Sequence, residues 1–414
     1  MRAVFINACH PDTPHVCGLR ARAFADALAA MGHRIVLLTP PLEDGGTGTD
    51  AGTLRRLLGT HDWSRPCRVA APFASGSVLP ALRTGRSPAG LRHALLAAHF
   101  LRHGSVFEDW CAGARPLLPV IAEAFGPDVV WGVFGNTGCW RAAQDLARQA
   151  GCPWVADVKD SWTAFVPAPF RRLLARRFGD AGRMTALSAA HAGMMRRWMP
   201  ALPAAVVYSG IPREFLAPAH DAGEAESTAK EILLCGSLYD RAALETVLSA
   251  LARWLESRGR EAAPSVRVAY AGADGQAVAS AARPLDGLCR VELLGRLPLD
   301  RLQQRQKQAT LNLHLPFAPA LFHHKLFELF AAGRPVLSFP GESAEARRIA
   351  AACGVPLICC DDPDELDRAF SATLGDDAPA RAPLDTTKLA AYSWDEQAKI
   401  LADVLKEAIG LGTA

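Results

Sequence analysis

The chain has 414 residues, half of them hydrophobic, and a net charge of +3. That length is more than one core comfortably fills, so two domains are expected, and so small a charge excludes a polyanion binder, with no nucleic acid among the expected partners. Eleven cysteines are scattered without a CxxC pair or a His/Cys zinc spacing, several of them inside apolar runs, which reads as reduced, buried thiols in a cytoplasmic protein with no metal site.

The opening MRAVFINACHP contains a buried strand from Ala3 to Ala8, too short an apolar run for a secretory signal. No stretch offers the ~18 uninterrupted apolar residues of a membrane-spanning helix. Leu19 to Ala30 has helical periodicity, Gly32 ends it, and Arg34 to Thr39 is the next strand. This βαβ order predicts a parallel sheet with right-handed crossovers. The loop from His10 to Gly18 has one glycine and is not GxGxxG, so it gives no dinucleotide fingerprint. Residues 44–119 hold Gly/Thr-rich turns, several prolines and a helix from Leu91 to His103 without strand alternation, and are read as an elaboration of the first domain. Strands follow at Val129 to Val133, Trp154 to Val158, Arg183 to Ala186 and Ala205 to Tyr208. Arg171, Arg172, Arg176, Arg177, Arg183, Arg196 and Arg197 cluster among Phe170, Leu173, Leu174, Phe178, Met194, Met195 and Trp198. Such a basic amphipathic face is either solvated or suited to an anionic lipid surface.

Residues 218–230, polar and without periodicity, form the best linker, dividing a first domain (1–217) from a second (231–390). The second series runs Glu231 to Cys235 (strand), Ala242 to Ser257 (helix), Val266 to Ala271 and Arg290 to Leu294 (strands), Leu299 to Gln308 (helix) and Leu311 to Leu315 (strand). After the first of these strands come Gly236, Ser237 and Arg241, a combination suited to a phosphate. Gly295, Arg296 and Leu297 follow Leu294 as a turn or a ligand loop. Then HHKLFELFAAGRPVLSFP, His323 to Pro340, reads as a short helix capped by Gly333, a break at Pro335 and a strand from Val336 to Phe339. Lys325 and Glu328 are either an ordinary surface pair or part of a ligand site. A cation in the first turn opposes the helix dipole, so Lys325 calls for something negative nearby. Helices from Ala344 and Asp362 and a final helix at 391–414, opened by Ser393, complete the chain.

Lys325, Leu326, Phe327 and Glu328, followed by Ala331, Ala332, Gly333, Arg334, Pro335 and Val336, resemble the nucleotide-sugar segment of family 4 retaining glycosyltransferases. Tyr392 to Asp395 resemble that family's closing segment. The resemblance implies the GT-B fold: two Rossmann-like doubly wound α/β domains facing a cleft, with the C-terminal helix crossing back to the first domain. It implies that Glu328 binds the ribose and that backbone N–H groups at the helix start hold the diphosphate. Lys325 and Arg241 are then the cations at the leaving group, Ser237 a phosphate contact, and Arg296 and Leu297 part of the nucleobase loop. Gly18 would lie beneath the transferred sugar. His10, and Asn136 and Thr137 in place of the family's histidine, would be sugar or acceptor contacts. Asp160, in the segment Asp157, Lys159, Asp160, Ser161, Trp162, would stand nearest the acceptor; by its residue type alone it is equally a helix N-cap. The family's first glutamate is replaced by Ala320.

The resemblance implies a retaining, metal-independent glycosyltransferase that moves a sugar from a nucleoside diphosphate sugar to a hydroxyl on a sugar, lipid-linked or small-molecule acceptor, as in bacterial glycan biosynthesis. The donor is a co-substrate and no cofactor is expected. The location is cytoplasmic, with the inner membrane face as a peripheral surface. A non-catalytic glycosyltransferase-like partner and a GT-B-fold nucleotide-sugar epimerase are the alternatives, the second needing a carboxylate pair that the sequence does not offer.

Overall fold

The computed structural model describes the chain except residues 14, 43–47, 84–88, 217–229, 259–264, 318–320, 376–383 and 413–414. The expected linker, apart from Lys230, and Ala320 lie outside the described residues. The chain forms two compact units, Met1–Gly210 with Trp394–Ala414, and Ile211–Ser393.

The first unit is built on seven parallel strands, β1 (Arg2–Ile6), β2 (Arg34–Thr39), β3 (Cys67–Ala70), β4 (Val129–Val133), β5 (Trp154–Val158), β6 (Arg183–Ala186) and β7 (Ala204–Val206). Their order is β3-β2-β1-β4-β5-β6-β7. The strands are apolar throughout because both faces of the sheet are covered. Phe5, Trp131 and Val155 meet Phe24 and Leu28 of the helix Val16–Ala30 and Leu401 and Leu405 of the helix Trp394–Gly412. Val4, Ile6, Val130 and Ala156 point the other way, into a cluster with Trp140, Leu146 and Phe178. The last helix is anchored by Trp394, whose ring stands edge-on to Phe24 at 5.2 Å.

Residues 44–119 depart from the expectation of an elaboration without strands, since they supply β3. It is a four-residue edge strand with a half-alternating burial pattern, which leaves little periodicity to read. They also supply the helix Ala51–Thr60, whose cap Asp50 accepts the Thr53 amide at 2.9 Å.

Beneath the sheet's carboxyl edge, Arg20 of the first helix is fully buried against Asp157 of β5, with Nη2 to Oδ1 at 2.8 Å and Nε to Oδ2 at 3.3 Å. Arg20 also donates to the Val207 carbonyl at 3.0 Å and to the Ser209 hydroxyl at 3.2 Å, while Thr185 donates to Asp157 at 2.7 Å. The second unit has six parallel strands, β8 (Lys230–Cys235), β9 (Val266–Ala271), β10 (Arg290–Leu293), β11 (Leu311–His314), β12 (Val336–Ser338) and β13 (Leu357–Cys359). Their order is β10-β9-β8-β11-β12-β13.

In each sheet the chain reverses its direction of strand addition once, between β1 and β4 and between β8 and β11. Ligands of open α/β sheets bind in the crevice outside the carboxyl ends of the strands at such a reversal.

Removing one partner of a buried ion pair strands the other charge. Asp157→Ala is therefore expected to cost ~3–5 kcal/mol in the first unit's urea unfolding followed by tryptophan fluorescence. Asp128→Ala, which breaks the solvent-exposed Arg2 pair, should cost ~1 kcal/mol or less; equal losses would contradict the role given to Arg20.

Candidate functional site

The β8/β11 crevice takes its shape from the helix Lys325–Ala331. Leu326, Phe327, Leu329 and Phe330 are fully buried, and Gly333 closes the helix with φ +63°, the left-handed conformation expected of it. Sinking that apolar face fixes the direction of Lys325. Its Nζ donates to the Cys235 carbonyl, the last of β8, at 2.6 Å. The partner beside Lys325 is thus the partial negative charge of a neutral carbonyl at the sheet edge. An ammonium has three donors, of which this bond takes one. Gly236 follows with φ +85°, and a Cβ there would stand 2.8 Å from Nζ. The positive φ favours glycine, and a Cβ there would have to displace the end of the lysine side chain.

The loop beyond Gly236 is pinned from β9. Tyr270 donates its hydroxyl to the Gly236 carbonyl at 2.8 Å, the Leu238 amide donates to Asp274 Oδ2 at 2.9 Å, and the Asp274 amide donates to the Tyr270 oxygen at 3.0 Å. Ser237 is exposed on this fixed turn. Two exposed rings, Tyr239 after β8 and Phe317 after β11, stand 5.4 Å apart.

Below, at the end of β11, the buried His314 has Nε2 3.3 Å from Oε2 of Glu342, itself fully buried. Glu342 accepts the Ser343 amide at 2.8 Å and the Ser338 hydroxyl at 3.3 Å. Burial holds the His314 pKa below its ordinary value, with the Lys325 and His323 charges adding to the effect and Glu342 opposing it. Sequence reading missed this cluster because a lone histidine in an apolar strand and a glutamate after a proline carry no joint signal.

The other expected donor residues are placed less directly. The amides of Leu326 and Phe327 donate to the carbonyls of His323 and His324, each at 3.0 Å, so the helix start engages its own donors. The side chains of both residues are in the core. Glu328 is half-buried with its carboxylate 3.4 Å from the His324 imidazole. Arg241 begins the helix Arg241–Ser257 and pairs with Glu245 at 2.7 Å and Ser280 at 3.2 Å. Arg296 is exposed and Leu297 half-buried in the loop after β10.

In the first unit, loops after β1, β4 and β5 meet at the β1/β4 crevice. A Cβ on Gly135 would lie 3.3 Å from Ala8, 3.6 Å from Cys17 Sγ and 4.0 Å from Lys159 Cε. Lys159 is buried and pairs with Asp160. Burial opposes its charge, but Cys17, Asp160 and Cys9 outweigh that and raise its pKa. Ser161, not Asp160, caps the next helix, accepting the Ala164 amide at 3.3 Å.

Gly18 is buried in the helix, and a Cβ there would come 2.5 Å from the His10 carbonyl. Its smallness therefore serves the His10 loop. His10 Nδ1 accepts the Asp12 amide at 3.2 Å, and burial, with Arg68, lowers its pKa. Asn136 caps the helix Thr137–Ala150, accepting the Gly138 amide at 2.8 Å. Thr137 is buried with its hydroxyl given to the Gly104 carbonyl, a structural bond where a sugar contact was expected. The fold also gathers Cys9, His15 and Cys17, whose spacing in sequence matches no common zinc motif. Cys9 ionises more readily than an ordinary thiol because of its hydrogen bond with Cys17, despite burial and with help from Lys159. That same bond and burial raise Cys17 well above it.

No protein-family model matches the sequence, and no curated protein does. Solved structures do match along the whole chain. Sucrose-phosphate synthase from Thermosynechococcus elongatus superposes with TM-score 0.67 at 16% identity, covering 99% of each chain. A glycosyltransferase from Rickettsia africae gives 0.64 at 11%, covering 99% of this chain and 98% of its own. Anabaena HepE, solved with UDP-glucose, gives 0.61 at 13%, covering 98% and 100%. At these identities the likeness establishes the fold, which is GT-B, as the resemblance implied.

A histidine kept neutral by burial makes stability depend on pH. Above the ordinary value of 6.5 both states are neutral there; as pH falls below it, the unfolded chain takes up the proton first and stability is lost. The urea midpoint of the second unit should therefore fall between about pH 6.5 and 5, and His314→Gln should flatten that slope relative to wild type. An unchanged slope would contradict a neutral His314.

Proposed function

We propose that the protein is a glycosyltransferase whose second unit binds a nucleoside diphosphate sugar at the β8/β11 crevice. The observation that carries this reading is the Lys325 ammonium, set on the last carbonyl of β8 beside a glycine that admits it. A diphosphate there accepts from the remaining ammonium donors and from Ser237 on its pinned turn, and Glu328 on the next turn takes the ribose hydroxyls. The loop of Arg296 and Leu297 contacts the nucleobase through main-chain groups. Three GT-B structures of similar shape support the reading; one is named as a synthase, one as a glycosyltransferase, and one was solved with UDP-glucose.

Transfer breaks the bond between the anomeric carbon and the diphosphate oxygen and forms one to the acceptor oxygen on the same face, with retention. The acceptor proton passes to the departing diphosphate, so no separate base is required. Charge grows on the diphosphate as it leaves, and Lys325 stabilises it without reorganisation, taking the part that a divalent ion plays elsewhere. Arg241 can join only by leaving Glu245, an exposed pair that costs little to break. In the first unit Asp160, relieved of capping by Ser161, Asn136 and His10 are the polar groups offered to a hydroxyl acceptor.

The acceptor is further proposed to be lipid-linked. Leu91, Leu95 and Leu101 of the helix Ala89–His103 are exposed, as are Phe165 and Leu173. The rings of Phe100 and Phe170 stand 5.4 Å apart in a tilted contact, joining that helix to the arginine-rich segment, where Arg172, Arg176, Arg196 and Arg197 are exposed. Exposed apolar anchors joined to an arginine-rich segment suit an anionic membrane face. No helix among the described residues is long and apolar enough to cross a membrane.

A thermal-shift panel of UDP-, GDP-, ADP- and dTDP-sugars is expected to yield one donor that stabilises the protein by ~2.7 kcal/mol at a hundred times its Kd. With that donor, Lys325→Ala should lower kcat/KM by ~10²–10³ and Glu328→Ala should raise KM. A protein that neither binds nor turns over any of the donors would be a non-catalytic relative. For the membrane, sedimentation with phosphatidylglycerol vesicles should carry the wild type down, and Leu101→Glu with Leu173→Glu should leave it in the supernatant. Equal sedimentation of the two would rule out this surface.

A further inference from the structure

We propose that Cys9, His15 and Cys17 form a binding site for a thiophilic divalent cation, with zinc as the ion of choice. Their ligand atoms all lie within 4.8 Å of one another, and Cys9 Sγ stands 4.0 Å from His15 Nδ1. Tetrahedral zinc, with Zn–S of about 2.3 Å and Zn–N of about 2.0–2.1 Å, places neighbouring ligand atoms roughly 3.3–3.8 Å apart. Closure by up to about 1.5 Å completes the set.

The three residues are held in graded fashion. Cys17 is buried in the first turn of the helix Val16–Ala30, Cys9 is half-buried, and His15 is exposed, so an ion enters from the His15 side. The buried Asn7 donates to the Cys9 carbonyl at 2.8 Å and to the Cys17 carbonyl at 3.1 Å, fixing both cysteines on one scaffold. Such outer groups orient ligands before the ion arrives. Loading displaces the Cys17 thiol from Asn7 Oδ1, now 3.0 Å away, and the His15 ring from the Cys17 amide, 3.1 Å away. Both thiol protons pass to solvent, two thiolates balance the dication, and the nearby Lys159–Asp160 pair adds no net charge. Three protein ligands leave a fourth position for water. This site belongs to the β1/β4 crevice and does not depend on the transferase reading.

The test uses the reduced full-length chain, incubated with zinc sulfate and desalted, with metal per chain measured by elemental analysis and affinity by competition with a chromogenic zinc indicator. One zinc per chain is expected, and cobalt in its place should show a thiolate-to-cobalt charge-transfer band. Cys9→Ser with Cys17→Ser should abolish retention, while Cys152→Ser should keep it. Should the double variant fail to fold, His15→Ala decides, since that side chain is exposed; it should weaken binding at least about tenfold by removing one of three ligands. Wild-type protein that retains no zinc, or retention and affinity unchanged in these site variants, would overturn the proposal.

Discussion

The contact between the Lys325 ammonium and the carbonyl that ends β8 organises the second unit's crevice. It exists because the helix behind it is driven into the core by four buried apolar side chains, which leaves the lysine a single direction. Beside it Gly236 has a left-handed backbone that favours glycine, and its bare Cα leaves room for the lysine end. Packing therefore places the charge, and the turn of the backbone beside it calls for the glycine. The Tyr270 and Asp274 bonds then hold the turn that carries Ser237, so the crevice is formed before any ligand arrives. Preformed donors of this kind are worth more to a reaction than donors that must be gathered.

The two units use the same sheet reversal with different charge. At the β8/β11 crevice a lysine faces a carbonyl dipole; at the β1/β4 crevice Lys159 is cancelled by Asp160. A diphosphate suits the first arrangement and a neutral hydroxyl compound the second, which supports the division into donor and acceptor roles. Behind the β1/β4 crevice the Arg20–Asp157 pair ties the opening helix to β5 and to the chain leaving β7. It rigidifies the scaffold without reaching solvent.

The doubly wound order was legible because its strands are short continuous apolar runs between helices of clear period. β2, β4, β5, β6 and β9 follow the expected limits for that reason. β3 was not legible, since a four-residue edge strand carries almost no pattern. Of the site, Lys325 and Gly236 could be found from helix-dipole and turn arguments, which are local. Thr137 misled because a hydroxyl after a strand looks available until the Gly104 carbonyl is seen opposite it. His314 with Glu342 depends on a contact that sequence distance conceals, while Cys9, His15 and Cys17 lie close in sequence but at a spacing that matches no common zinc motif.

The central claim is that a nucleoside diphosphate donor is held at the β8/β11 crevice by Lys325. A crystal structure of the protein with its donor nucleotide tests it most directly. The account predicts a phosphate oxygen within hydrogen-bond distance of Lys325 Nζ, beside Gly236 and Ser237. A nucleotide seated away from β8 and β11, with Lys325 bonded only to the Cys235 carbonyl, would contradict it.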